Sequence, residues 1–369
     1  MSPRILAAAL GLALLPALAA SGPASASSPA SGPASASHPA SGPASASHPA
    51  SGPASASHPA SGPASASHPA SGPASASHPA SGPASNGLAS VGHTVAAGSL
   101  DILLTNDDGY RAGTLAAMKQ ALTAAGHRVT VSAPCTDQSG KGTSQAANYP
   151  RGAPTEENTI VVRRPAPDTW AVCGSPSDAV LFGVQHAFPV EPPDLVVSGI
   201  NPGHNTGAVA NHSGTVGAAV MAGELTIPAI AVSVEIDITS SPPRLGSVSG
   251  AAAYTVRLIA RLQRTASSSG LLPRYVSLNV NYPVADHVRG TKVTSTGRKA
   301  FVRPNFQPTP LCQDCYLVLP KVDPGPDPVA DSDNNALAAD YIAVVPLDGD
   351  WTAPSGVRTE LRYRLTELT

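Results

Sequence analysis

An α/β fold, with a Rossmann-like parallel sheet flanked by helices on both faces, is what the sequence predicts. Two observations carry that expectation. Apolar strand-like runs alternate with helical runs between residues 100 and 234, and the strands run out into polar or glycine-rich segments. Such alternation builds right-handed crossovers and parallel neighbours. Parallel sheets collect ligands beyond the carboxyl ends of their strands, so the polar strand ends mark the place to look for chemistry.

The elements follow in order. "LDILLTND" (100–107) reads as the first strand. In "AGTLAAMKQALTAAG" (112–126), Leu115, Met118, Leu122 and Ala125 recur at helical spacing and Gly126 ends the run. "HRVTVSAP" (127–134) is the second strand, and "TIVVRR" with "TWAVCG" forms a hairpin. "SPSDAVLFGVQHAF" (175–188) opens a helix, with Ser175 as cap, Pro176 in the first turn and Asp178 close behind. "PDLVVSGI" (193–200), "GTVGAAVMAGEL" (214–225) and "PAIAVSV" (228–234) continue as strand, helix and strand. Beyond "SLNVNYP" the alternation fades. "TKVTSTGRKAFVRP" (291–304) and "DYIAVVPLDGDW" (340–351) read as strands, separated by a Pro-rich loop carrying Cys312 and Cys315.

The N-terminal quarter has a different character. Residues 1–20 carry one cation, Arg4, then an apolar run and small residues at Ala17 and Ala19. The run, roughly 16 residues, is short for a bilayer span and reads as a cleaved secretory signal. From 21 to 95 the chain is a Ser/Gly/Pro/Ala/His repeat, "SGPASASHPA" occurring five times between residues 31 and 80. A tract without large apolar residues cannot offset its chain entropy and reads as a disordered spacer. Its histidines (His38, His48, His58, His68, His78) fall ten residues apart in a flexible chain, with no preformed site. Residues 96–369 form the globular part. A formal net charge of -2 gives no electrostatic case for a nucleic-acid duplex or an acidic membrane surface.

Four cysteines, Cys135, Cys173, Cys312 and Cys315, favour disulfides in an exported chain. Sequence allows three pairings; Cys135 with Cys173 and Cys312 with Cys315 is the one expected here.

The first strand stops at Asn106, Asp107 and Asp108. Adjacent carboxylates at a sheet end repel and are partly desolvated, which calls for a cation; a hard divalent ion fits, with Gly109 turning the chain around it. The competing reading is an Asx turn in which Asp108 caps the next helix. Two further strand ends favour the ion. "CTDQSGKGTS" (135–144) is rich in hydroxyls, and "SGINPGHNTGAVANHSGTVGAA" (198–219) places Asn201 directly after a strand. Ser213, Gly214 and Thr215 begin a helix there, giving hydroxyls and free N–H groups suited to phosphate. Metal-binding oxygens beside an anion site imply metal-assisted phosphoryl chemistry.

In these residues the chain resembles the SurE family of stationary-phase survival proteins, over about 100–350. The matching segments are "ILLTNDDGY", "APCTDQSGKG", "GSPSD", "PDLVVSGINPGHNTG", "SGTVGAA", "PAIAVS", "SLNVNYP" and "DYIAVVPLDGDWT". The resemblance implies a metal-dependent 5′/3′-nucleotidase or acid phosphatase. One divalent ion, Mg²⁺ or Mn²⁺, would be held by Asp107, Asp108, Ser139 and Asn201. Asn205, Ser213, Gly214 and Thr215 would hold the phosphate of a nucleoside monophosphate or other phosphomonoester. It also implies a SurE-like fold with a C-terminal β-hairpin and tail exchanged between subunits, hence a homodimer or tetramer with an interface within 285–369.

Departures are local. His212 stands where the family usually has Tyr, Ser175 replaces a common Thr, and Cys135 takes a usually polar position. For His212, a general acid near phosphate competes with an aromatic that packs as Tyr does; His204 has a weaker claim of the same kind. The strand-end aspartates are adjacent and not the Asp-x-Asp arrangement used to form an aspartyl-phosphate, so direct water attack, with Asp107 and Asp108 as the catalytic carboxylates, is expected. The rival readings are a secreted phosphate- or nucleotide-binding or wall-associated protein without catalysis, and a dinucleotide-binding oxidoreductase. The latter needs a Gly-x-Gly-x-x-Gly turn where this chain has "NDDGYRAG".

Overall fold

The computed structural model describes residues 98–146, 159–268, 270–323, 325–350 and 352–365. The expected leader (1–20) and repeat spacer (21–95) lie outside the described residues.

The strands are β1 (Asp101–Thr105), β2 (Arg128–Pro134), β3 (Val162–Ala166), β4 (Thr169–Val172), β5 (Leu195–Pro202), β6 (Ala229–Val234), β7 (Ile236–Asp237), β8 (Arg244–Leu245), β9 (Ser277–Tyr282), β10 (Thr291–Val293), β11 (Val302–Pro308), β12 (Tyr316–Val322) and β13 (Ile342–Leu347). The helices are α1 (Gly113–Ala124), α2 (Pro176–His186), α3 (Gly214–Glu224), α4 (Val248–Arg264), α5 (Asp333–Ala338) and α6 (Ser355–Arg364), with a 3₁₀ turn over Gly207–His212.

Nine strands form one sheet in the order β10-β13-β9-β6-β5-β1-β2-β4-β3. Strands β4, β2, β1, β5, β6 and β9 run parallel, and β3 pairs antiparallel to β4. The predicted α/β fold is therefore the observed one. Burial explains the apolar strands: Val196 and Val197 of β5 and Ile230 to Val232 of β6 are fully enclosed. Leu115, Met118 and Leu122 of α1 pack with α4 residues Ala251 and Ile259 in one core cluster. Val180 of α2 and Val216, Ala218, Ala219 and Ala222 of α3 occupy the other. Helix α2 starts as expected: Ser175 Oγ accepts from the Asp178 N–H at 3.1 Å, and an Asp178 oxygen accepts from the Ser175 N–H at 2.8 Å.

The C-terminal part departs from expectation. "TKVTSTGRKAFVRP" is not one strand, because Thr294 to Phe301 leave the ladder between β10 and β11. The C-terminal β-hairpin that the resemblance implies is present, formed by the segment read from its residues as a Pro-rich loop: β11 and β12 pair antiparallel from Val302–Val322 to Pro308–Tyr316. Strand β13 belongs to the main sheet, antiparallel to β9 and parallel to β10. Helix α4 was not foreseen, although Tyr254 and Ile259 face the core while Arg257, Arg261 and Arg264 follow the outer side. Helix α6 buries none of its residues. Both disulfides pair as expected, Cys135–Cys173 and Cys312–Cys315. Among the described residues, no helix is long and apolar enough to cross a membrane.

Candidate active site

Strand order reverses at β1, which has β2 on one side and β5 on the other. This is the topological switch point of an open parallel sheet, and Asp107 and Asn201 emerge there from neighbouring strands. The ladder between β5 and β6 shifts between Gly199 and Asn201, so β5 bulges just before Asn201, which pairs with Ser233 near the end of the strand. Gly199 has φ +124, and a Cβ on it would collide with the Val232 carbonyl. Only glycine fits this bulge.

Asp107 is 3% exposed and held from α3. The Thr215 hydroxyl donates to Asp107 Oδ1 at 2.6 Å, and the Thr215 backbone N–H donates to the same side chain. Ser213 caps α3, its Oγ accepting from the Val216 N–H at 3.1 Å. Gly214 is required by closeness: an added Cβ would stand 2.8 Å from Asp107 Cβ. The positive end of α3 therefore faces a carboxylate of the protein itself. Burial nonetheless raises the Asp107 pKa, opposed by Thr215 and reinforced by the charge of Asp137.

Asp108 follows without such support. Its Oδ2 is buried and has no hydrogen-bond partner, as is Oδ1 of Asn106. Burial first, and then the charges of Asp107 and Asp137, push the Asp108 carboxyl up to about 8. Its proposed cap role is not realised, since α1 starts after Ala112 with no side-chain cap. Instead Asn106 Nδ2 donates to the Gly109 carbonyl at 3.1 Å, and Gly109 turns at φ +100.

Ser139 lies half-buried on the loop after β2. That loop is tied to the site at both ends: the Gln138 N–H donates to the Asp107 carbonyl at 2.7 Å and the Gly142 N–H to the His212 carbonyl at 3.1 Å. The Ser139 N–H donates to Asp137 Oδ1 at 2.7 Å. The Cys135–Cys173 bond fixes the start of the same loop to the end of β4. Asn201 donates its side-chain N–H to the Gly203 carbonyl at 2.6 Å.

Asn205 is buried and engaged. Its amide Nδ2 donates to Ser233 Oγ at 2.9 Å, its backbone N–H donates to Asn281 Oδ1 at 2.7 Å, and its carbonyl accepts from Asn279 Nδ2 at 2.7 Å. In this arrangement Asn205 and Thr215 shape the site, while the start of α3 and the Ser139 loop border it. His204 is 3% exposed, its Nδ1 has no partner, and burial lowers its pKa to about 4. That histidine is neutral at neutral pH. His212 is exposed, directly before Ser213.

Asp137, Asn279 and Asn281 were not singled out from sequence. The asparagines had a readable signal: two of them two residues apart in a buried strand share one face and need polar partners.

The donor set can be tested against a metal ion. Among the described residues, no three His, Cys, Asp or Glu side chains gather as a metal site by themselves. An ion here needs neutral oxygens beside the carboxylates, and Ser139 and Asn201 supply that type. The partnerless Asp108 Oδ2 and the raised carboxyls are what a pair of aspartates shows without a cation, so a hard divalent ion fits.

The family described as "Survival protein SurE" matches residues 102–303. Among the similar proteins is a "5'-nucleotidase SurE" of Geotalea uraniireducens (strain Rf4), 36% identical over 269 residues, 72% of this chain and 100% of the relative. Another, from Desulfatibacillum aliphaticivorans, is 37% identical over 260 residues, 69% of this chain and 94% of the relative. The crystal structure of the SurE protein from Aquifex aeolicus superimposes with a TM-score of 0.57 at 29% identity, over 71% of this chain and 98% of that one. Matched family, relatives and fold agree with the site at the β1 switch point: the chain belongs to the survival protein SurE family.

Proposed function

We propose that this chain is a divalent-metal-dependent phosphomonoester hydrolase acting on nucleoside 5′- and 3′-monophosphates and on other phosphomonoesters. The single observation that carries the reading is the Asp107–Asp108 pair at the sheet's switch point, one carboxylate fixed by Thr215 and the other half-buried with one enclosed, partnerless oxygen. Relatives named 5′-nucleotidases support the substrate class.

Asp107, Asp108, Ser139 and Asn201 would hold the ion, Mg²⁺ or Mn²⁺. When bound, it supplies Lewis-acid polarisation of the phosphoryl group and offsets the charge that gathers on its oxygens. The chain's own work is positioning. Thr215 orients the Asp107 carboxylate, the Asp107 carbonyl holds the Ser139 loop through Gln138, and Ser213 and Gly214 offer the hydroxyl and N–H groups at the start of α3 to the phosphate. His212, exposed and directly before Ser213, is our candidate for the group that gives a proton to the leaving alkoxide.

Released phosphate from nucleoside 5′- and 3′-monophosphates and from p-nitrophenyl phosphate, with and without chelator, tests the reading. Hydrolysis that chelator abolishes and Mn²⁺ restores is expected; chelator-insensitive turnover, or none in metal-replete protein, overturns it.

We further propose assembly through the C-terminal segment. Phe306 (64%), Leu311 (83%) and Tyr316 (59%) stand exposed on the β11–β12 hairpin, an apolar surface suited to a second copy. Export, with a cleaved leader at 1–20 and a spacer at 21–95, is also our proposal; two disulfides support it, since such bonds persist in oxidising compartments.

A further inference from the structure

The segment that joins Asn201 to the start of α3 has its backbone tied down at successive points. The Gly203 N–H donates to the Asn201 carbonyl at 3.0 Å, and the Asn205 N–H donates to Asn281 Oδ1 at 2.7 Å. The Gly207 N–H donates to both carboxylate oxygens of Asp333, at 3.1 and 3.0 Å. Asp333 lies 126 positions later in the chain and is fully buried. Its Oδ1 also accepts from the Gly297 N–H at 2.9 Å and the Asn334 N–H at 2.8 Å.

Gly207 sits at φ +55, and an added Cβ would collide with Asn334 Nδ2 and the Lys299 carbonyl. The loop is therefore pressed against the Asp333 region with no slack. Loop position at this point decides two things at once. Upstream it holds the segment that leaves β5 just after Asn201, and downstream it holds the 3₁₀ turn that leads to Ser213, Gly214 and Thr215, and Thr215 holds Asp107.

We propose that Asp333, with Asn281 holding the loop two residues earlier, is a positioning residue for the metal and phosphate sites, acting through the loop backbone over Asn205 to Gly207 and touching neither ligand. The proposal rests on the phosphohydrolase reading above. A carboxylate suits the task because its two oxygens accept from three separate N–H groups. An amide keeps the size and offers one acceptor oxygen, and its NH₂ would face an N–H.

The test compares Asp333→Asn and Asn281→Ser with wild type and with Leu122→Ala. The last is a core cavity in the final turn of α1, at the opposite end of the sheet, and serves as the control for simple destabilisation. Three readouts are taken: melting temperature, Mn²⁺ affinity by calorimetric titration of the metal-free protein, and KM and kcat on a nucleoside monophosphate. Expected are a roughly tenfold weaker Mn²⁺ affinity and a roughly tenfold higher KM in both loop variants, on the scale of one lost hydrogen bond. Changes in kcat should stay small, and Leu122→Ala should lose melting temperature with affinity and KM intact. Loop variants that behave as Leu122→Ala does would overturn the proposal while leaving the phosphohydrolase reading in place. Should Asp333→Asn fail to fold, Asn281→Ser decides the matter by the same readouts. Wild type that binds Mn²⁺ without hydrolysing nucleotides would end the phosphohydrolase reading, yet the Mn²⁺ affinities would still decide the positioning claim. Wild type that does neither would end both.

Discussion

Thr215 Oγ1 lies 2.6 Å from Asp107 Oδ1, joining the first turn of α3 to the end of β1 across 108 positions of sequence. A buried carboxylate with a raised pKa keeps one orientation only while that hydroxyl and the Thr215 N–H hold it.

Thr215→Val keeps the shape and removes the hydroxyl. We expect kcat/KM on p-nitrophenyl phosphate to fall by about ten- to hundredfold, with stability reduced by about 1–2 kcal/mol. Asp107→Asn, which removes a charged ligand, should cost several orders of magnitude with the fold retained. Thr215→Val with wild-type kinetics would show that Asp107 needs no such support.

Thr215 also shows what sequence reading reaches. From the pattern, Ser213, Gly214 and Thr215 were legible as a helix start with donors to spare, and the strand-end aspartates as a cation site. That one of those donors faces Asp107 was not legible, because it depends on how α3 approaches β1. The asparagines of β9 and the carboxylate of Asp333 serve backbone groups distant in sequence, and no local pattern announces such partners. Helix α4 was a plainer miss: its apolar positions recur at helical spacing, but its first turns, Val248 to Ala253, hold Gly250 and three alanines and carry little of that pattern.

His204 gives a pH prediction with a definite sign. Its pKa falls from 6.5 to about 4 on burial, so the folded state binds fewer protons than the unfolded chain between these values. The contribution is complete above pH 6.5 and is lost as pH falls toward 4, by about 3 kcal/mol. Asp333, raised to about 6 by burial, acts in the opposite direction over part of the same range. Comparing wild type with His204→Gln cancels the Asp333 contribution, since both proteins carry it. Urea unfolding at pH 7 and pH 4.5 should show wild type losing stability relative to His204→Gln; parallel losses would mean that His204 is solvated or paired.

The two disulfides should differ in worth. Cys135–Cys173 closes a separation of 38 residues and, by loop closure, stabilises by about 4 kcal/mol at most; Cys312–Cys315 closes a separation of 3 and does far less. Melting of Cys135→Ala/Cys173→Ala should fall well below that of Cys312→Ala/Cys315→Ala. The first pair should also raise the Mn²⁺ concentration for half-maximal activity, because it anchors the Ser139 loop. Equal melting temperatures for the two double variants would refute this ranking.

Light scattering at micromolar concentration should report a mass at least twice that of one chain. Removal of residues 303–321, the hairpin with its exposed Phe306 and Tyr316, should give monomers. A wild-type monomer would refute assembly and leave the chemistry of the strand ends untouched.

The place of β13 bears on biosynthesis. Residues 342–347 fill the slot between β9 and β10, and Asp333 reaches back to Gly207, so a stretch synthesised after every other strand of the sheet completes both the sheet and the support of the loop after β5. Earlier strands can pair as they emerge, since domains form from the N-terminal side during translation. A truncation between residues 283 and 341 keeps β9 and removes β13, leaving a β9 edge unpaired and prone to aggregation.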